Sequence, residues 1–202
     1  MSSFASIFRR YGAFGLLRLA RDVALSRVVF RNARVVRYPW YIRGGPGIRF
    51  GKAFTSGVGL RIDAFGSDPG QVTIGDNVQF GDYVHVAAVE SVIFGDHVLM
   101  ASRVYISDHD HGNYSDDGVV TLPSEIQEKR PLRSAPVKLG RNVWVGENVC
   151  ILKGVEIGEN SIIGAGAIVT KSMPADCIVV GSPGRVVKRF DHSSGRWITV
   201  EG

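Results

Sequence analysis

The stretch 139–169 reads LGRNVWVGENVCILKGVEIGENSIIGAGAIV, and it repeats every six residues. Leu139-Gly140, Val145-Gly146, Ile151, Ile157-Gly158, Ile163-Gly164 and Val169 mark one aliphatic register; Val137, Val143, Val149 and Val155 mark a second, two positions earlier. Working outward, the same step carries Phe94-Gly95, Met100-Ala101 and Ile106-Ser107, and before them Ile74-Gly75, Phe80-Gly81 and Val86-Ala87. Val72, Val78, Val84, Val92, Val98 and Val104 continue the second register. A sustained period of six is not the 3.6 of an amphipathic helix, and an antiparallel sandwich has longer alternating strands. Short strands with one inward anchor, followed by turns of Gly, Asn or Asp, bury little alone and much when stacked. The repeat therefore predicts an all-β solenoid.

Its breaks are as informative as its period. Val86 to Phe94 is a step of eight, which predicts a two-residue bulge at Val89-Glu90. Between Ile106 and Leu139 the repeat is absent, and 108–136 holds His109, His111, Pro123, Pro131 and Pro136. Insertions in solenoids leave the stack as loops on one face, often the binding face. The stretch 48–70 has irregular Gly spacing and is expected to be a capping coil. The resulting division is a basic segment over 1–47, a repeat domain over 48–190 with the loop 108–136, and a short tail over 191–202.

Composition sets outer limits. The 202 residues allow one domain with a sizeable core. Two cysteines, Cys150 and Cys177, make no disulfide framework and read as reduced thiols. No secretory leader is legible, and no run is apolar enough to span a membrane, so a cytoplasmic protein is expected. The net charge of +5 is concentrated early. From Phe4 to Val36 stand Arg9, Arg10, Arg18, Arg21, Arg27, Arg31 and Arg34 against Asp22 alone, interleaved with Phe4, Ile7, Phe8, Tyr11, Phe14 and Leu17. That spacing predicts a helix over about the first half. It either packs on the body with its arginines in solvent or lies on the inner face of an anionic membrane through 4–36. No nucleic-acid motif accompanies the charge, so no nucleic-acid partner is expected.

The runs Val143-Trp144-Val145-Gly146, 157–171 and Gly181-Ser182-Pro183-Gly184-Arg185-Val186-Val187 resemble the hexapeptide-repeat acyltransferases. More narrowly, the chain is similar to the galactoside, maltose and lipopolysaccharide O-acetyltransferases. The Arg10-Tyr11-Gly12 triplet and 54–61 resemble the O-antigen and exopolysaccharide members in particular. The resemblance implies a left-handed parallel β-helix, a homotrimer with active sites between subunits, and acetyl-CoA as co-substrate, with no metal. It implies an acceptor saccharide in a surface polysaccharide such as the O-antigen of lipopolysaccharide, or in its lipid-linked precursor.

Acyl transfer to an alcohol needs a base, and histidine is the usual one near neutral pH. Among five histidines, His192 lies in the tail and His97 in a repeat turn. His109 and His111 sit where the loop leaves the repeat, in Asp108-His109-Asp110-His111-Gly112. Counting from Gly95, His111 matches the family's catalytic histidine, with His109 orienting it or binding substrate. Asp108, Asp110 or a backbone carbonyl is left to fix the imidazole tautomer. A backbone N–H between Trp144 and Gly146 is the candidate oxyanion donor. By resemblance, Trp144, Gly146, Ala165, Thr170, Lys171, Arg185 and Lys188 match the coenzyme A contacts. The acceptor is expected near Asp82, Tyr83 and His85. Here the chain departs from the galactoside and maltose enzymes, with Tyr83 where Asn is usual and Val89 in place of an acid.

Three rival readings remain open at this point. His85, His109 and His111 could be proposed as zinc ligands of a γ-class carbonic anhydrase, although a His-x-His spacing is wrong for that family. The solenoid could be a non-catalytic scaffold. Or the acceptor could be an amine, as in amino-sugar and nucleotide-sugar N-acetyltransferases.

Overall fold

A computed structural model describes residues 4–66, 68–114 and 118–200. The side chains of Phe4, Ile7 and Arg10 lie outside the described residues. The chain winds as a parallel β-helix with three faces. The first face stacks Val35–Val36, Thr55–Ser56, Gln79–Phe80, Leu99–Met100, Trp144–Val145, Ile162–Ile163 and Cys177–Val180. The second stacks Trp40–Arg43, Leu60–Ala64, His85–Ala88, Tyr105–Ser107, Cys150–Ile151 and Ile168–Val169. The third stacks Ile48–Phe50, Val72–Ile74, Val92–Phe94, Val137–Leu139 and Glu156–Ile157. Pairing is parallel throughout these stacks, as between Leu99 and Trp144 or Tyr105 and Cys150.

The two registers of the repeat become the core. Every anchor from Val72 to Val169 is buried, with no more than 4% of its surface exposed. The small residues divide their labour in a way the repeat alone does not show. Gly95, after an anchor, is there for close approach: a Cβ on it would sit 2.7 Å from the backbone nitrogen of Arg141 in the next coil. The left-handed turn falls three positions after the anchor, at Asn77, Asn142, Asn148 and Asn160, with φ between 56° and 59°. Asparagine tolerates that conformation better than other non-glycine residues. Carboxylates also tie coil to coil: Asp76 accepts from the Lys52 amide at 2.6 Å, and Asp96 accepts from the Asp76 amide at 2.7 Å.

The solenoid starts earlier than its repeat suggests. Parallel pairing of Val35–Val36 with Thr55–Ser56, and of Trp40–Arg43 with the second coil, places the first coil at 35–50 instead of beginning the stack at 48. Val36, Ile42 and Ile48 keep the six-residue step but are each followed by an arginine instead of a small residue, which hid it. Phe30 meets Trp40 and Phe50 edge-on at 5.2 Å, and rings continue inward through Phe54, Phe80 and Phe94. Phe30 plugs the end of the stack just beyond α1 (Phe4–Val29), which breaks at Gly12 (φ 63°, ψ 178°). The helix is therefore longer than the expected first half. Ser26 and Asp22 fasten it: the Ser26 hydroxyl accepts from the Val36 amide at 2.8 Å, and buried Asp22 holds Arg21 at 2.7 Å.

The other end also differs from expectation. Arg185–Asp191 and Arg196–Thr199 form an antiparallel extension of the first face in place of a tail. The loop 108–136 is ordered where described, with His109–His111 pairing antiparallel to Leu132–Ser134.

Neighbours on one strand should behave oppositely. Phe94 is 1% exposed and Ile93 is 38% exposed. Phe94→Ala is expected to cost about 3–5 kcal/mol in urea unfolding, whereas Ile93→Ala stays near about 0.5 kcal/mol.

Candidate active site

Asp108 organises the site. Its side chain is completely buried and meets four hydrogen-bonding partners. Three are backbone amides of the predicted bulge: Val89 at 2.9 Å, Glu90 at 2.7 Å and Ser91 at 2.7 Å. The fourth is the Nδ1 of His109, 2.9 Å from its Oδ1. Removing this buried carboxylate would strand those amides at about 1–3 kcal/mol each. The step of eight is thus an anion cradle, and the alternatives for the tautomer-fixing group resolve to Asp108 for His109. With Nδ1 turned to Asp108, Nε2 of His109 points the other way round the ring. The Phe65 ring lies edge-on to His109 at 5.7 Å.

His111 is exposed, two residues along the same ribbon. Its carbonyl accepts from the Tyr114 hydroxyl at 2.6 Å, and Arg130 donates to that hydroxyl at 2.7 Å. Asp110 does not orient a histidine; it pairs with Lys153 of the next coil at 2.9 Å. Lys153 escaped the sequence reading because a lysine in a repeat turn reads as a solvated charge. Structurally it ties the loop to the stack.

His85 lies on the second face, one coil before Tyr105, with ring centroids 5.2 Å apart. Its Nε2 is 3.2 Å from buried Asp63. Asp63 was also missed, since an acid inside a strand of the capping region gives no motif. The other expected acceptor residues behave differently. Asp82 accepts from the Val58 amide at 2.9 Å, so its carboxylate joins the ladder that ties coils together. Tyr83 takes the left-handed turn position (φ 57°) with its ring exposed over Gly59, where a Cβ would meet the ring at 2.4 Å. His97 is a left-handed turn residue, as its place in the repeat implied.

The coenzyme A candidates gather toward the late coils. Trp144 stacks outward on the first face, half exposed, between Leu99 and Ile162. Gly146 lies directly under Ala165, whose backbone nitrogen would stand 2.6 Å from a Cβ at Gly146. Thr170 and Lys171 follow the last second-face strand, and the turn 181–184 is pinned there, with Gly184 donating to the Ile168 carbonyl at 2.7 Å. That brings Arg185 to the same coil, while Lys188 lies on the hairpin beside Ile178. Lys171, Arg185 and Lys188 are exposed and form no ion pair among the described residues. Trp144 and the histidine ribbon stand on different faces of the chain.

Among the described residues, no group of three or more His, Cys, Asp or Glu side chains is placed to hold a metal ion, and no helix is long and apolar enough to cross a membrane. His85 and His109 each face their own carboxylate instead of converging on one point. A cavity of about 490 Å³ opens between α1 and the first coil, lined by Tyr11, Leu19, Pro39, Val58, Arg18 and Arg37 among others. It includes neither histidine of the ribbon.

The family described as bacterial transferase hexapeptide (six repeats) matches residues 136–171. WbbJ of Escherichia coli (strain K12), assigned as a lipopolysaccharide biosynthesis O-acetyl transferase, is 44% identical over 189 residues, 94% of this chain and 95% of its own. The chain belongs to the hexapeptide-repeat transferases. Among solved structures, AntD, an N-acyltransferase from Bacillus cereus bound to dTDP and 3-hydroxybutyryl-CoA, superposes with a TM-score of 0.67 at 19% identity, over 85% of this chain and 89% of that one. The hexapeptide-repeat acetyltransferase VCA0836 of Vibrio cholerae O1 biovar eltor, bound to acetyl coenzyme A, gives 0.59 at 22% identity, over 94% and 91%. At such identities both speak for the hexapeptide fold.

His85 gives this site a pH signature. Burial is the main influence on its imidazole and holds it below the ordinary value near 6.5; the Asp63 hydrogen bond opposes this, and Arg61 adds to the lowering. The unfolded chain therefore binds a proton near pH 6.5 while the folded chain still does not. Stability should fall as pH drops from 7 through 6.5, until the folded value is passed. His85→Gln is expected to flatten that limb of a melting-temperature profile between pH 7.5 and 5; an identical limb in the variant contradicts the assignment.

Proposed function

We propose that the protein moves an acetyl group from acetyl-CoA to a hydroxyl of a sugar in a surface polysaccharide or its lipid-linked precursor. The near full-length match to WbbJ carries this reading. The likeness to AntD, an N-acyltransferase, extends to fold alone and does not favour an amine acceptor.

His111 serves as general base. It accepts the proton of the sugar hydroxyl as that oxygen attacks the thioester carbonyl carbon. It returns the proton to the departing thiolate of coenzyme A when the tetrahedral intermediate collapses. The exposed ribbon position supports this role, since the base must reach a substrate arriving from solvent. Backbone N–H groups from Trp144 to Gly146 stabilise the oxyanion, and Lys171, Arg185 and Lys188 neutralise the phosphates of coenzyme A. The thin pantetheine arm runs along the small-residue corner at Gly146 and Ala165, with Thr170 farther along the same coil. Trp144 and the histidine ribbon occupy different faces, so one protomer supplies the ribbon and another the coenzyme wall, as in a homotrimer.

One observation favours a second assignment: His109, not His111, has the buried carboxylate partner typical of a catalytic histidine. Release of coenzyme A thiol in the presence of acceptor decides between them. With His111 as base, His111→Ala lowers kcat/KM by about 10²–10⁴-fold and His109→Ala by less; the reverse order transfers the role to His109. Loss in neither variant removes general-base catalysis by this ribbon.

The protein works at the inner face of the membrane. Phe14 is 83% exposed and Leu17 68% exposed on α1, beside Arg9 and Arg18. Arg21 is committed to the buried Asp22. Replacing Arg9, Arg18 and Arg27 with Gln is expected to weaken sedimentation with anionic phospholipid vesicles by at least about tenfold, leaving neutral vesicles unaffected. Unchanged sedimentation with anionic vesicles sinks the docking reading.

A further inference from the structure

On the second face, a charged cluster borders the histidine ribbon. The outward column runs Tyr41, Arg61, His85, Tyr105 from the first coil to the fourth. One step along the strand, Arg43 stands over Asp63. Arg61 donates its Nε to Asp63 at 2.6 Å, and the Arg43 Nε lies 3.5 Å from the other carboxylate oxygen. Both guanidinium groups stack on the single ring of Tyr41, at 5.4 and 5.6 Å, and Arg43 also covers the Phe65 ring at 5.5 Å. Phe65 in turn meets His109 edge-on.

The arrangement exceeds what stapling coils requires. One buried carboxylate, 1% exposed, is balanced by one guanidinium, yet two are present. Its Oδ1 lacks a true hydrogen bond, so the second arginine is not placed to satisfy it. With His85 uncharged near neutrality, the cluster carries one net positive charge. Both arginine side chains remain about half exposed (51% and 48%) while ring stacking and their Nε contacts fix their planes. Arg43 spends one terminal nitrogen on the Tyr41 hydroxyl at 2.9 Å. The terminal nitrogens of Arg61 have no acceptor among the described residues. A planar fork held in advance, with unspent donors, suits the paired oxygens of a carboxylate or phosphate.

We infer that this cluster is an acceptor subsite for an anionic saccharide, in which Arg61 and Arg43 bind a carboxylate or phosphate of the sugar. The path from Arg61 past His85 to Tyr105 covers two strand spacings, roughly 10 Å, and ends at the coil that launches the histidine ribbon. A sugar anchored by its charge at Arg61 directs its hydroxyls toward that ribbon. The departure from galactoside-type acceptors then has a physical content: these coils select charge. The proposal relies on the acetyl-transfer reading for the fate of the bound sugar, not for its binding.

Binding and turnover test the two separately. Saturation-transfer NMR on the full chain, saturated with coenzyme A, would compare D-glucuronate, D-glucose 1-phosphate and D-glucose. Selective binding of either anion is expected, at least about tenfold tighter than glucose; a preference between glucuronate and the 1-phosphate identifies a uronate or a phosphate as the natural charge. Arg61→Gln and Arg43→Gln should abolish that selectivity and leave glucose and coenzyme A binding unchanged, while Arg61→Lys, keeping charge but not the fork, retains part of it. Should the Gln variants fail to fold, raising salt on the unaltered protein must weaken the anions and spare glucose. Equal binding of all three sugars, no sugar binding, or selectivity that survives both Gln variants overturns the subsite. Anion-selective binding with no thiol release upholds the subsite and counts against acetyl transfer; acetylation of neutral glucose without anion preference does the opposite.

Discussion

Every coil must return the chain to one strand spacing above the last, with its aliphatic side chain on the same axis. The backbone hydrogen bonds run between coils, so a coil that misses its register loses its partners on both sides. Extra residues are therefore tolerated only at corners, where the chain leaves and re-enters without shifting the stack. The loop 108–136 does so between Tyr105–Ser107 and Val137–Leu139, which still pair with the coils below them. The fold can carry a functional arm here because neither strand moves to make room.

Asp108 stands where that constraint meets chemistry. It is the first residue past the strand and is completely buried, a costly place for a charge. The cost is offset by three amides presented by the bulge one coil earlier, and the remaining bond fixes His109. Bulge, loop origin and imidazole orientation thus depend on one carboxylate. The same logic recurs at Asp63, where a buried acid gathers His85 from the next coil and Arg61 from its own strand. In both places, a buried carboxylate turns strand stacking into placement of a functional side chain.

The legibility of the sequence varied with the kind of signal. Anchors from Val72 to Val169 were readable because each obeys the same spacing and each is buried. The bulge was readable as a miscount, and the ribbon as a gap holding two histidines. The first coil was not, although Val36, Ile42 and Ile48 keep the six-residue step, because each is followed by an arginine instead of the small residue that marks later anchors. Asp82 looked like an acceptor ligand, but its carboxylate holds the turn of the coil below. Arg21 looked like part of a free basic face, but Asp22 claims it.

The sequence by itself determined the solenoid, the place where the chain leaves it, the histidines, and a family resemblance that reached the activity. These are local or periodic properties, written in spacing and in contiguous motifs. Only the tertiary structure decided which acid meets which histidine, and that Arg43, Arg61 and Tyr41 share one platform. His85 and Asp63, like Arg61 and Tyr41, stand about twenty residues apart in the chain and one strand spacing apart in space. The offset between coils changes with every bulge and insertion, so stacking itself, and no motif, chooses the neighbours.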